Sequence, residues 1–332
     1  MIPTLVSLGI SQTTELVRTA QSAEEYGFDS IWFGDMGLNT DVFVSSAYAA
    51  SKTSKIKIGI ITNPYTRNPV LTATAIATLD EYSGGRALYA LGPGGQGTLL
   101  PMGYRTWDRP LTAVREAVEV ARRLFRGEKV TYEGKTLRCN EAKLAFKSRK
   151  EIPISITAMT GSKLMRLSGE IADGIVLAGP LGLEYTKQCV SKFMEGAKEV
   201  GRDPSDLRIM LQCLFLTSMD EAEAIARVRL PVSKMIFVDP RFYGVMRSAN
   251  INDAQLEQIK TAVAEGEGKV AEVVSDDLVK TYAIVGTPDS CARQMRLYRD
   301  IGISDFCIIP PPTADLKQIM KLTSKEIMPR LK

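Results

Sequence analysis

The chain has 332 residues, 45% of them hydrophobic, with 42 basic against 38 acidic residues and a formal charge of +4. That balance argues against nucleic acid as a partner, and no apolar run approaches the roughly 20 residues that span a bilayer. Histidine is absent, which excludes Ser-His-Asp and Cys-His machinery and HExxH zinc sites. Proton transfer is left to carboxylates, tyrosine, lysine or water, so reaction chemistry leans on a cofactor. The five cysteines, Cys139, Cys189, Cys213, Cys291 and Cys307, are odd in number and form no CxxC pair. They read as scattered reduced thiols of a cytoplasmic protein. The first residues, MIPTLVSLGI, have no basic flank and no cleavage-like site, and no signal peptide is expected.

In chain order, residues 4–10 are β-branched enough for a first strand. Residues 15–26 have helical spacing, with Leu16, Ala20 and Ala23 on one face and Gly27 as the stop. A second strand over 28–33 ends in Gly34-Asp35-Met36, and a helix follows over 42–52. A third strand, 56–61, ends at Thr62-Asn63-Pro64. The helix at 70–82 has Pro69 ahead of it and Gly84-Gly85 behind it, and a fourth strand runs over 87–91. Strand, helix and strand within about 40 residues make a βαβ unit, hence a parallel pair.

A loop over 98–110 carries Tyr104 and Trp107. An amphipathic helix over 112–125 follows, with Val114, Val118, Ala121 and Leu124 in phase. Residues 131–147 read as a small hairpin. Strands at 152–158 and 174–178 flank a helix at 162–172. A helix at 184–200 stops at Gly201, and a strand at 208–217 is apolar enough for burial on both faces. Residues 219–282 break the rhythm as a helical insertion. Thr287-Pro288 caps a further helix to Asp300, 306–309 is the eighth strand, and 316–328 is a closing helix. Eight alternations predict a single (β/α)8 barrel over 1–332, against a two-domain, dehydrogenase-like rival.

Ligands bind at the carboxyl ends of parallel strands, where the loops 62–68 and 92–97 fall. Gly92-Pro93-Gly94-Gly95-Gln96-Gly97 matches G-x-G-x-x-G after a strand. It follows the fourth strand rather than the first, however, and Thr98-Leu99-Leu100-Pro101 comes after it instead of a long helix. It reads as a tight loop, kept free of side chains so that a flat ring can approach its backbone. Asp35 is either a loop carboxylate or a polar contact to cofactor or substrate. Thr160-Gly161-Ser162-Lys163 precedes a helix and suits phosphate, with Ser162 as a simple N-cap the alternative.

The run TNPYTRNPVLTATAIATLDEYSGGRALYALGPG, residues 62–94, resembles the luciferase-like superfamily of flavin and deazaflavin barrels. Within it, the run is most similar to the F420-dependent methylenetetrahydromethanopterin reductases. Looser agreement extends over AEEYGFDSIWFGD, residues 168–179 and residues 285–306. The resemblance implies a TIM barrel with coenzyme F420 at its C-terminal face, FMN being the alternative cofactor. It implies a non-prolyl cis peptide near Ile60-Ile61, beneath the ring. It also implies cofactor contacts at Ile60, Ile61, Thr62, Asn63, Gly92, Pro93, Gly94, Thr160, Gly161, Ser162 and Lys163.

Three departures from the family's pattern stand out: Met36 replaces a histidine after Asp35, Val6-Ser7 replaces a first-strand acid, and Gly95 replaces an aspartate. Asp35 is the retained carboxylate and the candidate catalytic residue. The implied reaction is hydride transfer between F420 and a one-carbon pterin such as methylenetetrahydromethanopterin, or a related imine or carbonyl. An FMN-dependent monooxygenase and a non-catalytic cofactor-binding protein are the other readings. A small-molecule substrate, no membrane and a homodimer or higher homo-oligomer are expected.

Overall fold

The computed structural model describes residues 5–10, 15–38, 40–104, 107–149, 151–179, 181–237 and 242–331. Eight parallel strands close into a ring: β1 (Leu5–Ile10), β2 (Ser30–Gly34), β3 (Lys57–Thr62), β4 (Ala87–Leu91), β7 (Ile154–Ala158), β8 (Gly174–Ala178), β9 (Arg208–Thr217) and β11 (Asp305–Ile309), which pairs back onto β1. Helices α1 (Leu16–Glu25), α2 (Val42–Ser51), α3 (Pro69–Tyr82), α5 (Pro110–Phe125), α6 (Ser162–Ile171), α7 (Leu183–Glu199), α13 (Pro288–Asp300) and α14 (Leu316–Leu322) lie between or after the strands. The expected (β/α)8 barrel is therefore the fold. The hairpin is present as β5 (Val130–Glu133) and β6 (Arg138–Ala142).

Local chemistry explains the boundaries. The Asn68 carboxamide accepts from the backbone N–H groups of Val70 and Leu71 at the start of α3, with Pro69 as its first residue. Asp41 caps α2 in the same way, and Thr287 caps α13 ahead of Pro288. Between β9 and β10 stand α8 (Glu221–Phe237), α9 (Tyr243–Ser248), α10 (Asp253–Glu265), α11 (Glu267–Val273) and α12 (Asp276–Tyr282). The strand β10 (Ala283–Gly286) falls in the stretch that the pattern leaves unassigned between the insertion and Thr287. It pairs with Leu214–Thr217 of β9, while β11 pairs with Met210–Leu214. Ten residues make β9 long enough to serve two neighbours on one edge, and four residues of AIVG are too few to show a period.

The expected cis peptide near Ile60-Ile61 is not found; no cis bond occurs among the described residues. Ile60 and Ile61 sit in unbroken parallel ladders on both sides, opposite Phe33 and Gly34 of β2 and opposite Tyr89 and Ala90 of β4. That pairing leaves no bulge to absorb a reversed peptide.

The barrel interior is small. Trp32, Ala90, Val176, Met210 and Cys307 form its core, with Ile61 and Leu88 against them. Gly59 is obligatory there, because a Cβ would sit 2.2 Å from the Trp32 ring. The large core lies outside the ring, between strands and helices. At the N-terminal end a cavity of about 230 Å³ is lined by Asp29, Lys57, Arg149, Asp173, Arg208 and Asp305, among others. Among the described residues, no helix is long and apolar enough to cross a membrane.

Candidate functional site

The C-terminal ends of β2, β3, β4 and β7 are knitted together by backbone. The Asp35 N–H donates to the Ile61 carbonyl (2.8 Å) and the Gly92 N–H to the Thr62 carbonyl (3.0 Å). A Cβ on Gly94 would lie 3.2 Å from the Asn63 Cβ, and one on Gly92 would lie 2.8 Å from the Thr157 carbonyl oxygen. Gly94 also has φ +74°, a region that side chains rarely enter. Glycine is thus required at both positions for the strand ends to approach this closely. After Gly95 comes a single turn, α4 (Gln96–Leu99), rather than the plain loop that the sequence suggests. It is too short to serve as a dinucleotide-binding helix.

The candidates do not all present side chains at the mouth. Ile60 is fully buried in the outer core, while Ile61 packs against the barrel interior. Thr62 shares a 3.2 Å hydrogen bond with the buried Tyr89 hydroxyl. Asn63 is turned into its own loop, accepting from the N–H groups of Tyr65 and Thr66 and donating to Thr66 Oγ1. Thr62 and Asn63 are therefore committed within the protein.

Asp35 is held by an arginine that the sequence reading passed over. Arg67 Nε donates to Asp35 Oδ2 (2.7 Å) and Nη2 to Asp41 Oδ2 (2.7 Å), and the guanidinium lies 5.1 Å from the Phe43 ring centroid. The Asp35 side chain is only 4% exposed. Burial pushes the Arg67 guanidinium down, but its two carboxylate partners outweigh that and raise it overall. Asp35 is thus held in an ion pair with Arg67. Only the TxxxxR spacing inside the 62–94 run could have flagged Arg67.

Around the rim, Tyr104 donates to the Tyr65 carbonyl (2.6 Å), Tyr65 to the Asp108 carbonyl (2.8 Å) and Trp107 Nε1 to the Gly94 carbonyl (3.2 Å). Tyr104, Trp107 and Asp108 are thereby tied to the glycine-rich loop and to the loop after β3. Burial, with the Asp108 charge, pushes the Tyr65 phenol up to about 12, so it stays protonated.

At the end of β7, Gly161 rather than Ser162 is the N-cap of α6, with φ +100°, and no side chain caps the helix. Gly161, Ser162 and Lys163 are exposed. The first N–H groups of a 10-residue helix therefore face outward beside a lysine, a donor set that fits a phosphate. The Gly161 N–H donates to the hydroxyl of half-buried Tyr185, which leaves the N–H groups that follow it for a ligand.

Two polar side chains within the barrel also escaped the sequence reading. Thr157 projects inward beside Gly92, and its Oγ1 is buried without a partner. Gln212 is the one residue between Ile209 and Thr217 that is not fully buried. It was legible only as the one amide in the otherwise apolar run IMLQCLFL. An orphaned hydroxyl, a glycine-lined rim and an uncapped helix start are what a flat, phosphorylated cofactor requires. The cysteines do not compete for a role: burial pushes Cys189, Cys291 and Cys307 up to about 12, keeping them protonated.

The family model described as luciferase-like monooxygenase matches residues 3–305. The 5,10-methylenetetrahydromethanopterin reductase of Methanolobus tindarius is 33% identical over 317 residues, 95% of each chain. That of Archaeoglobus fulgidus is 33% identical over 326 residues, 96% of each. The structure of the coenzyme F420-dependent tetrahydromethanopterin reductase from Methanopyrus kandleri superposes with a TM-score of 0.91 at 30% identity, covering 99% of this chain and 100% of that one. With the family model matched over residues 3–305 and the relatives over 95% or more of both chains, the chain belongs to the luciferase-like family and is similar to its F420-dependent methylenetetrahydromethanopterin reductases.

Proposed function

We propose that this protein is an F420-dependent oxidoreductase that moves a hydride between the deazaflavin and a one-carbon pterin of the methylenetetrahydromethanopterin type, or a related imine or carbonyl. The observation that carries this reading is end-to-end similarity, at 30–33% identity, to reductases named for that reaction. The uncapped start of α6 and the glycine-lined rim support it. When bound, reduced F420 supplies the hydride.

The chain's own residues bind and orient. The backbone of Thr160, Gly161, Ser162 and Lys163 holds the phosphate of the cofactor's side chain, with the Lys163 ammonium adding charge. Gly92, Pro93 and Gly94 line the ring's edge, and Ile61 with the neighbouring strand end supports it. Asp35, fixed by Arg67, orients the substrate at the rim. The family's first-strand acid has no counterpart, since Ser7 is buried and hydrogen-bonded to Ser30 (2.7 Å). Hydride transfer itself needs alignment and exclusion of water more than a strong acid.

The test is to titrate the purified protein with F420 and with FMN, then follow F420 absorbance with methylenetetrahydromethanopterin as oxidant. Turnover supports the reading. Tight F420 binding without turnover rejects the pterin in favour of another acceptor or a non-catalytic role, and binding of FMN alone rejects F420.

A further inference from the structure

The interior of the barrel changes character along its axis. The lower layer holds Lys57, Arg208 and Asp305, and the middle layer Trp32, Met210 and Cys307. Above these, the inward positions of the strands are filled by Gly34, Ile61, Gly92, Thr157, Ala178 and Gln212. Two observations fix the orientation of Gln212. It follows the inward Met210 by two residues, and side chains two apart on a strand share a face. It also stands opposite Cys307 in register, with a hydrogen bond between its side chain and the Cys307 thiol. On β8 its neighbour is Ala178, too small to cover it.

Thr157 is placed by similar arguments. Ser155, two residues before it, lines the lower cavity, and Thr157 stands opposite Val176 of the interior core. Its Oγ1 has no partner. A buried hydroxyl without a hydrogen bond is unfavourable, and such groups in native proteins call for an occupant that satisfies them. Gly34, on the opposite side of the mouth, has nothing within 4 Å of where its side chain would be. The floor of the mouth is therefore uncharged, open on one side and furnished with one carboxamide and one hydroxyl.

We infer that Gln212 and Thr157 together recognise the lactam edge, –CO–NH–, of a fused pyrimidine ring. A carboxamide offers one donor and one acceptor face, which complements a lactam's acceptor and donor. The neutral floor admits a flat heterocycle without desolvating a charge. This inference rests on the proposed function, in which both cofactor and substrate carry such an edge: the deazaflavin's pyrimidine ring and the pterin's pyrimidinone.

The experiment uses two near-isosteric variants, Gln212→Met and Thr157→Val, each checked for folding by a thermal melt. Thr157→Val removes an unsatisfied hydroxyl, so the ligand-free protein is expected to melt at a higher temperature while its ligand affinity falls. F420 affinity is read by fluorescence titration, and KM for methylenetetrahydromethanopterin at saturating F420. A loss of about tenfold in F420 affinity in either variant assigns the edge to the cofactor. A similar rise in KM with F420 affinity unchanged assigns it to the pterin. If Gln212→Met does not fold, Gln212→Leu, which stays neutral and removes both donor and acceptor, takes its place. Both quantities within twofold of wild type in both positions overturn the inference. Should wild type bind FMN and not F420, the proposed function fails while this pair is still tested, because FMN carries the same edge.

Discussion

The two ends of the barrel are built from the same eight strands and do opposite work. The N-terminal end is charged and paired: Lys57 with Asp29 (2.8 Å), Arg149 with Asp80 (2.8 Å), Arg122 with Asp173 (2.9 Å) and Arg208 with Asp305 (3.4 Å). Arg86 adds five hydrogen bonds there, to Ser83, Thr53, Ile56 and Ala50. The C-terminal end has a neutral floor, glycines at its rim and polar groups left unsatisfied. A cavity is present at the charged end, where pairing of the charges is what stability asks for. Open backbone and an orphaned hydroxyl are what a ligand asks for. The difference teaches that one barrel can keep its paired charges at one end and its open, glycine-lined backbone at the other.

The largest expected effect breaks the paired end. Asp80 is 2% exposed and accepts from Arg149 twice and from the Ala87 N–H. Asp80→Ala is expected to destabilise by about 3 kcal/mol, read from urea unfolding, with F420 affinity unchanged in the folded fraction. A loss below about 1 kcal/mol would show that this end is not a stabilising network.

Asp305 is the exception at this end, because its pairing with Arg208 does not recover the whole cost of burying its charge. Burial pushes its carboxyl up to about 6, Arg208 offsetting only part of that and Asp29 adding to it. The folded state then holds the proton more tightly than the unfolded chain. Its contribution to stability is full below about pH 4 and is lost as pH rises through about 6, on the order of 2–3 kcal/mol. The gap in melting temperature between Asp305→Asn and wild type should therefore move in the variant's favour from pH 4 to pH 7. A gap independent of pH would refute it.

At the other end, Gly161→Val should weaken F420 binding about tenfold, or 1.4 kcal/mol, because φ +100° is closed to a β-branched residue and the helix start must shift. Space is not the obstacle, since a Cβ there would meet nothing within 4 Å. Unchanged affinity would move the phosphate elsewhere.

An effect of the same size, now on turnover, is expected of Asp35→Asn. With Arg67 already neutralising the carboxylate, kcat should fall about tenfold, not the roughly 10²–10⁴-fold of a proton-transfer group. A fall in the larger range, with F420 affinity kept, would make Asp35 a direct participant.

The sequence was legible where its signals are local. Asn68-Pro69, Thr287-Pro288 and Gly201 mark helix ends by their own backbone chemistry, and they fall where the spacing puts them. The run over 62–94 was legible as a whole but not in its parts. Thr62 to Arg67 belongs to the mouth, whereas Ser83 and Arg86 tie down the opposite end. The short β10 was missed because its four residues acquire meaning only beside Leu214–Thr217. Ser162 was a plausible cap until Gly161 took that place.

By itself the chain determined the alternation of strands and helices, the parallel sheet and the end at which its glycine loops gather. Period, propensity and capping act over a few residues. Only the tertiary structure decided which polar groups are free. Asp35 lies 32 residues from the arginine that holds it, and the strands of Gln212 and Thr157 are set on either side of β8 only in the folded sheet. Whether a side chain is satisfied depends on neighbours brought in from distant strands, and no local pattern records them.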